Sequence, residues 1–463
     1  MGEGKLTIIF GITIAYILLT TIISISMRKF ANTESKFMAG GKNIGSFVIG
    51  VLMMSEFIGT GSTMGTAAVA FNKGLSAAWN LITLFIAFVI FSVFMAPKYK
   101  MTEEYTISGV IAKKYGNRVA LIVSIIMIYA LMVVNIAMYV GGAVIIATLL
   151  KLSDKTAIYA ISAISIIYVV FGGLKSVAYT NLLHAIVKYA GLIITVIVAL
   201  HFSGGIAKIQ AALKPIYFSW KGVGILTIIG WTIANIGAVF STQYIIQAIA
   251  GTSNPAKAKL ASGFAGVLII PIGLMAALIG VAAKFSFPSI TGKMAIPEFI
   301  FIMNPWLGGI VTAGLMAAIL GTVSATVLGS TALLMRDIYI PLIKPKEKHT
   351  LTATRVISIL IGILPIPFAL YMPHILSTIF FARALRTTLA VIAVCMFYLP
   401  FFGSEKSVFW GLIITVAATT IWYILKNPLG IDNIYIATLL PLLIMSINYL
   451  AIQLFGGIKN VKN

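Results

Sequence analysis

Charge is what this sequence has least of. Of 463 residues only 11 are Asp or Glu, and charged residues of both signs make up 10%, where a water-soluble domain carries about a quarter. So little polar material cannot clothe a water-facing surface. The single cysteine, Cys395, excludes an intrachain disulfide framework. Four histidines, none paired at i, i+4, leave no metal-ligand cluster. Neither a Walker-type phosphate loop nor a Gly-x-Ser-x-Gly elbow occurs, so nucleotide-driven and serine-hydrolase chemistry lack residues to carry them, no cofactor is expected, and the chain reads as a non-enzyme.

What is present is apolar. Hydrophobic residues make up 60% of the chain. The run from Leu6 to Ser26 contains no charge, and about 20 such residues span the hydrocarbon as a helix. Runs of this kind recur to the C-terminus without strand alternation, and lipid admits only helices and closed barrels. The reading is an all-α polytopic membrane protein with about 13 transmembrane helices, over 6–26, 46–71, 75–97, 119–150, 156–172, 182–203, 222–249, 259–283, 305–334, 353–371, 375–399, 407–425 and 432–456. The first run is too long for a signal-peptide core, and Arg28 and Lys29 follow rather than precede it. No soluble domain is expected at either end.

A net charge of +22 taken alone points to nucleic acid. The basic residues, however, sit in short loops, where they set topology. The expected partners are therefore the lipid bilayer and a small solute, not nucleic acid, and the residues specify no oligomeric state. With the N-terminus outside, 20 of the 33 Lys and Arg fall in cytoplasmic segments and ten outside, so N-out, C-in is favoured.

Span two holds Gly50, Gly59, Gly61 and Gly65 among Ser55, Thr60, Ser62 and Thr63; span seven holds Gly230, Asn235 and Gly237. Broken helices at matching places in two halves mark a transporter site. Spans 2–6 (46–203) and 7–11 (222–399) would then be two five-helix repeats, the second inverted by its odd length, with two further spans over 407–456.

Five stretches, in order over roughly residues 35–340, carry a family likeness. They are Gly40-Gly-Lys-Asn-Ile-Gly45; Tyr105-Thr-Ile-Ser-Gly109 with Lys114-Tyr-Gly116; Phe171-Gly-Gly-Leu-Lys-Ser-Val-Ala-Tyr-Thr-Asn181; Gln243 to Gln247 with Asn254 to Lys257; and Gly314 to Thr322 with Arg336-Asp-Ile-Tyr339. The chain resembles the sodium:solute symporters, the family of sodium/proline, sodium/galactose and sodium/pantothenate carriers. The resemblance implies the leucine-transporter fold, residence in the plasma or inner membrane, and a sodium ion between spans two and nine. Its carbonyl ligands would fall on Ser55 and Ile58 and its span-nine positions on Ala318, Gly321 and Thr322. Two positions depart from the family: Gly321 stands where Ser is usual, and Asn181 where many sodium-coupled members have Asp. Lys188, two turns beyond Asn181, either takes the place of the sodium ion, making the carrier proton-coupled, or snorkels to the interface.

Ionisable residues at membrane depth are functional candidates. Glu56, in the break of span two, could neutralise a cation, carry the coupling proton or meet a substrate ammonium; it could also pair with Lys188 or cap the broken helix. Arg383 and Arg386 share one face of span eleven. They suit a carboxylate-bearing solute, an amino or organic acid, or else pair with Glu56 and hold the bundle. Gln243 is a further candidate for the substrate path. His184 could relay protons near Lys188 or be structural. Asn135, Asn235, Gln243 and Gln247 read first as helix–helix hydrogen bonds, and Trp231 and Tyr244 as packing. The leading expectation is a cation-coupled symporter of a small organic solute. A transport-inactive sensor on the same fold is the alternative of another class.

Overall fold

The structure, a computed structural model, describes residues 3–26, 44–170, 174–371 and 375–459. Gly40 to Asn43, the Phe171-Gly-Gly stretch, and Arg28, Lys29, Lys36 and Lys42 lie outside the described residues. Among the described residues the chain is helical, with no strand. In chain order we name α1 (Glu3–Ser26), α2 (Ser46–Phe57), α3 (Thr66–Lys73), α4 (Trp79–Phe94), α5 (Ile107–Leu150), α6 (Asp154–Val170), α7 (Leu174–Phe202) and α8 (Ile225–Ser241). There follow α9 (Gln243–Ala250), α10 (Pro255–Ser286), α11 (Pro305–Leu334), α12 (Glu347–Ile363), α13 (Ile375–Tyr398), α14 (Glu405–Ile424) and α15 (Asn433–Lys459).

Each expected span coincides with helix, but the count of membrane-crossing helices differs. Among the described residues ten are long and apolar enough, or eleven with the bent pair α8–α9 taken as one span. Two features account for the shortfall from thirteen. Helix α6 has 17 residues, slightly short of the roughly 20 that a full crossing takes. Helical structure also runs on from Gly61 to Phe94, joining the end of expected span two to span three. The chain turns there at Gly74, whose φ of 77° suits glycine. A side chain at that position would run into the backbone of Tyr217.

Helix α11 forms the centre of the bundle and is buried from Val311 to Leu333. Its small residues let neighbours approach, as is usual between helices in lipid. At Gly314 an added Cβ would meet Val187 O at 2.8 Å, and at Gly191 it would lie 3.4 Å from Val311 Cα. This close crossing of α7 and α11 sets Lys188 beside Gly321. At the periphery, Leu18 and Ile22 of α1, Ile186 and Ile197 of α7 and Leu439 of α15 are exposed, an apolar exterior suited to lipid tails.

Candidate functional site

Helix α2 ends where Ile58 leaves helical geometry (φ −96°, ψ 67°), and the chain resumes as a π-helical turn over Gly61–Gly65. Hydroxyls take over carbonyls at the break: Ser62 Oγ donates to Phe57 O, and Thr63 Oγ1 donates to Gly59 O at 3.1 Å. Such substitutions let a helix break at membrane depth. The second break corrects the sequence reading. It lies at Thr242 (φ −59°, ψ 123°), after Gly230, Asn235 and Gly237, with α8 and α9 at 44°. Gly237 instead makes room for Thr387 of α13. Asn235 Nδ2 donates to Asn80 O at 3.0 Å and Thr83 Oγ1 at 2.8 Å, a helix–helix tie.

Around the first break, residues from three helices converge. Lys188 Nζ of α7 donates to Ser55 Oγ at 2.8 Å. Ser55 Oγ donates in turn to Asn181 Oδ1, whose Nδ2 donates to Val177 O at 2.7 Å. Thr322 Oγ1 of α11 donates to Ser55 O at 3.2 Å. Gly321 closes the group: a Cβ there would lie 2.7 Å from Ser55 Oγ, 2.7 Å from Asn181 Oδ1 and 3.1 Å from Lys188 Nζ. Ile58 and Ala318 are buried. Lys188 is 2% exposed, so it does not snorkel; its stem runs inward to the break. The missing hydroxyl at Gly321 leaves the space beside which the ammonium sits.

The second cluster joins the two breaks. Arg386 Nη1 of α13 donates to Glu56 Oε1 at 3.1 Å and to Thr242 Oγ1 at 2.7 Å. Ser241 Oγ donates to Arg386 O at 2.7 Å. One guanidinium therefore ties the α2 break to the α8–α9 break. Glu56 pairs with Arg386 rather than Lys188, and the Arg386 reading as a free anion receptor gives way to a bundle-holding role. Arg383 Nη1 donates to Asn80 Oδ1 at 3.0 Å, and its guanidinium lies 4.7 Å from the Phe380 ring centre. Its Nε is buried without a hydrogen-bond partner, as is Glu56 Oε2.

Gln243 Oε1 accepts from Ile107 N at 2.9 Å and its Nε2 donates to Tyr105 O at 3.0 Å, so both ends of the amide are bonded at the start of α5, in line with its reading as a hydrogen-bonding tie. Thr326 Oγ1 donates to Asn135 Oδ1, and Trp231 stacks on Phe380. Sequence reasoning missed Asn80 and Thr242. Asn80 carried a signal, an uncharged polar side chain inside an apolar run; Thr242 carried none, since threonine is common in intact helices. Beyond the first break a cavity of about 480 Å³ is lined by Met64, Asn72, Lys73, Lys293 and Leu376.

Residues 37–415 match the sodium:solute symporter family. The high-affinity proline transporter PutP of Bacillus subtilis is 24% identical over 331 residues, 67% of this chain and 69% of that protein. The sodium/proline symporter of Haemophilus influenzae is 23% identical over 379 residues, 76% and 75% of the two chains. Among solved structures, a Na+-coupled sialic acid symporter in a substrate-bound outward-open state superposes with a TM-score of 0.83 at 18% identity, covering 96% of this chain and 97% of that one. The nucleobase-cation symporter Mhp1 gives 0.62 at 14% identity, covering 90% and 95%. These likenesses show the leucine-transporter fold. The named relatives are carriers and not enzymes, and with the family match running over most of its length this chain belongs to the sodium:solute symporter family of membrane proteins.

Proposed function

We propose that the chain carries a small organic solute across the cell membrane by alternating access, coupled to a proton held on Lys188 where the family holds sodium. One observation supports this above others: the Lys188 ammonium donates to Ser55 at 2.8 Å, against a glycine whose Cβ would crowd it. When protonated, Lys188 links α2 to α7; on losing its proton that link weakens. The repeats over 46–203 and 222–399 are then free to rock about the midplane site. The orientation is N-terminus outside and C-terminus cytoplasmic.

Sodium coupling is the second reading. It rests on the family and on Ser55 O and Thr322 Oγ1, which still face the break. For the solute we favour a carboxylate, an amino or organic acid. Arg383 keeps a buried Nε without a partner, and the proline and sialic acid named for relatives both carry carboxylates.

The test is uptake of labelled proline and other carboxylates into liposomes under a proton or a sodium gradient. Proton-driven accumulation, lost in Lys188→Ala, is expected. Accumulation driven by sodium alone returns the chain to the family's usual ion. Binding without accumulation under either gradient identifies a sensor.

A further inference from the structure

Four polar side chains stand on α7 at strict four-residue intervals: Ser176, Thr180, His184 and Lys188. Residues at i, i+4 share one face of a helix. All four are buried, with exposures of 1%, 1%, 0% and 2%. In the orientation proposed above, the stripe runs from the cation site to the cytoplasmic end of α7.

The imidazole of His184 is held on both sides. Its Nδ1 bonds to the Tyr16 hydroxyl of α1, and its Nε2 to the Tyr168 hydroxyl of α6 at 2.9 Å. Tyr168 OH donates its one hydrogen to Thr180 Oγ1 at 2.7 Å. It must therefore accept from Nε2–H, which leaves Nδ1 as acceptor for Tyr16. Thr180 lies one turn from Ser176, whose Oγ donates to Ser24 Oγ at 3.3 Å near the end of α1. On the outer side of Lys188, a cavity of about 10 Å³ touches Thr63, Gly191 and Thr195, about the room one water occupies. The ionisable groups around His184 are Tyr16, Tyr168 and Lys188; α11, packed along α7, carries none from Pro305 to Leu334.

We infer that His184 relays the proton between Lys188 and the cytoplasm, with Tyr168 and Thr180 as the next hydroxyls on the route. This rests on the proton reading of Lys188. The Lys188 ammonium gives up one proton and becomes an amine. His184 receives it at Nδ1, with the Tyr16 hydroxyl turning from donor to acceptor. The imidazolium then releases its Nε2 proton to Tyr168 as Tyr168 passes its own to Thr180. Thr180, whose hydroxyl at rest donates to Ser176 O at 3.0 Å, turns to give its own hydrogen to Ser176 Oγ, and Ser176 passes its hydrogen to Ser24 Oγ, which releases one to cytoplasmic water; one proton leaves Lys188 and one leaves the chain. A purely structural histidine would keep one tautomer and have no bearing on Lys188.

The full chain, with 15N-labelled lysine and histidine, is placed in lipid bilayers for NMR, and Lys188 Nζ is assigned as the signal missing in Lys188→Met. Exchange of the Lys188 Nζ protons with D2O is expected to slow at least about tenfold in His184→Gln and in Tyr168→Phe, a barrier change of about 1.4 kcal/mol or more. Tyr168→Phe keeps the ring and its packing, so it stands should His184→Gln fail to fold. Exchange within twofold of the unsubstituted protein in Tyr168→Phe, with a single fixed His184 tautomer, overturns the relay and leaves the Lys188 reading intact. A saturable displacement of the Lys188 signal by sodium chloride, absent with choline chloride, overturns the Lys188 reading itself.

Discussion

At the scale of single residues, the absence of one Cβ decides the character of the first break. Gly321→Ser would place an atom within 3.1 Å of Lys188 Nζ and 2.7 Å of Ser55 Oγ. Overpacking of this kind costs about 1–3 kcal/mol. The variant should melt earlier in detergent and lose proton-driven uptake. Lys188→Ala together with Gly321→Ser should regain the part of that stability lost against the ammonium, the contacts with Ser55 and Asn181 remaining, and gain further stability from sodium chloride. An unchanged melting temperature in Gly321→Ser, read by fluorescence on heating, would show that the ammonium is not confined there. The sequence already named both residues, because each departs from its surroundings: a lysine inside an apolar run and a glycine where a hydroxyl is usual. It left open whether Lys188 turns inward or toward the interface, since a flexible four-carbon stem reaches either from one Cα. Packing settled the direction, through the close approach of Gly191 and Gly314.

At the scale of elements, the broken helices are held by a partner on α13. Arg386 bonds to Glu56 and Thr242, one from each break. Truncating one member of a buried ion pair costs about 3–5 kcal/mol, because the other charge stays buried. Glu56→Gln should therefore lower thermal stability by that order and weaken uptake whatever the solute. A melting temperature within a degree of the unsubstituted protein would remove Glu56 from this role. The existence of a break in α2 was legible, since Gly and Ser/Thr crowd its centre. The break at Thr242 was not, because the Arg386 guanidinium that bonds its hydroxyl lies more than a hundred residues away in the chain. For the same reason Arg386 read from sequence as a receptor for an outside anion, whereas the protein itself supplies Glu56 as its anion; Arg383 bonds instead to Asn80 and keeps its Nε unpaired. The partners of Gln243 were not legible either, since Tyr105 and Ile107 stand at the turn into α5, which apolar periodicity does not describe.

At the scale of the whole molecule, hydropathy delivered the all-helical membrane architecture, and short motifs delivered the family. They gave thirteen crossings because they count apolar runs, whereas α6 is short and helix continues around Gly74. Sidedness yields its own prediction. In intact cells a membrane-impermeant thiol reagent should label Lys293→Cys, and should reach Glu347→Cys only after permeabilisation; the native Cys395 is buried and should stay silent. The reverse pattern would invert the carrier and direct the α7 stripe outward. The pairing of Gly321 with Lys188 has a consequence for descent. Replacing either residue alone leaves a collision or a hole, so, if Lys188 holds the coupling proton as proposed, a lineage would pass between proton and sodium coupling through a double substitution or through a weakly coupled ancestor. On that proposal, positions 321 and 188 together would form a two-letter word by which sister proteins could be sorted by ion before any transport is measured.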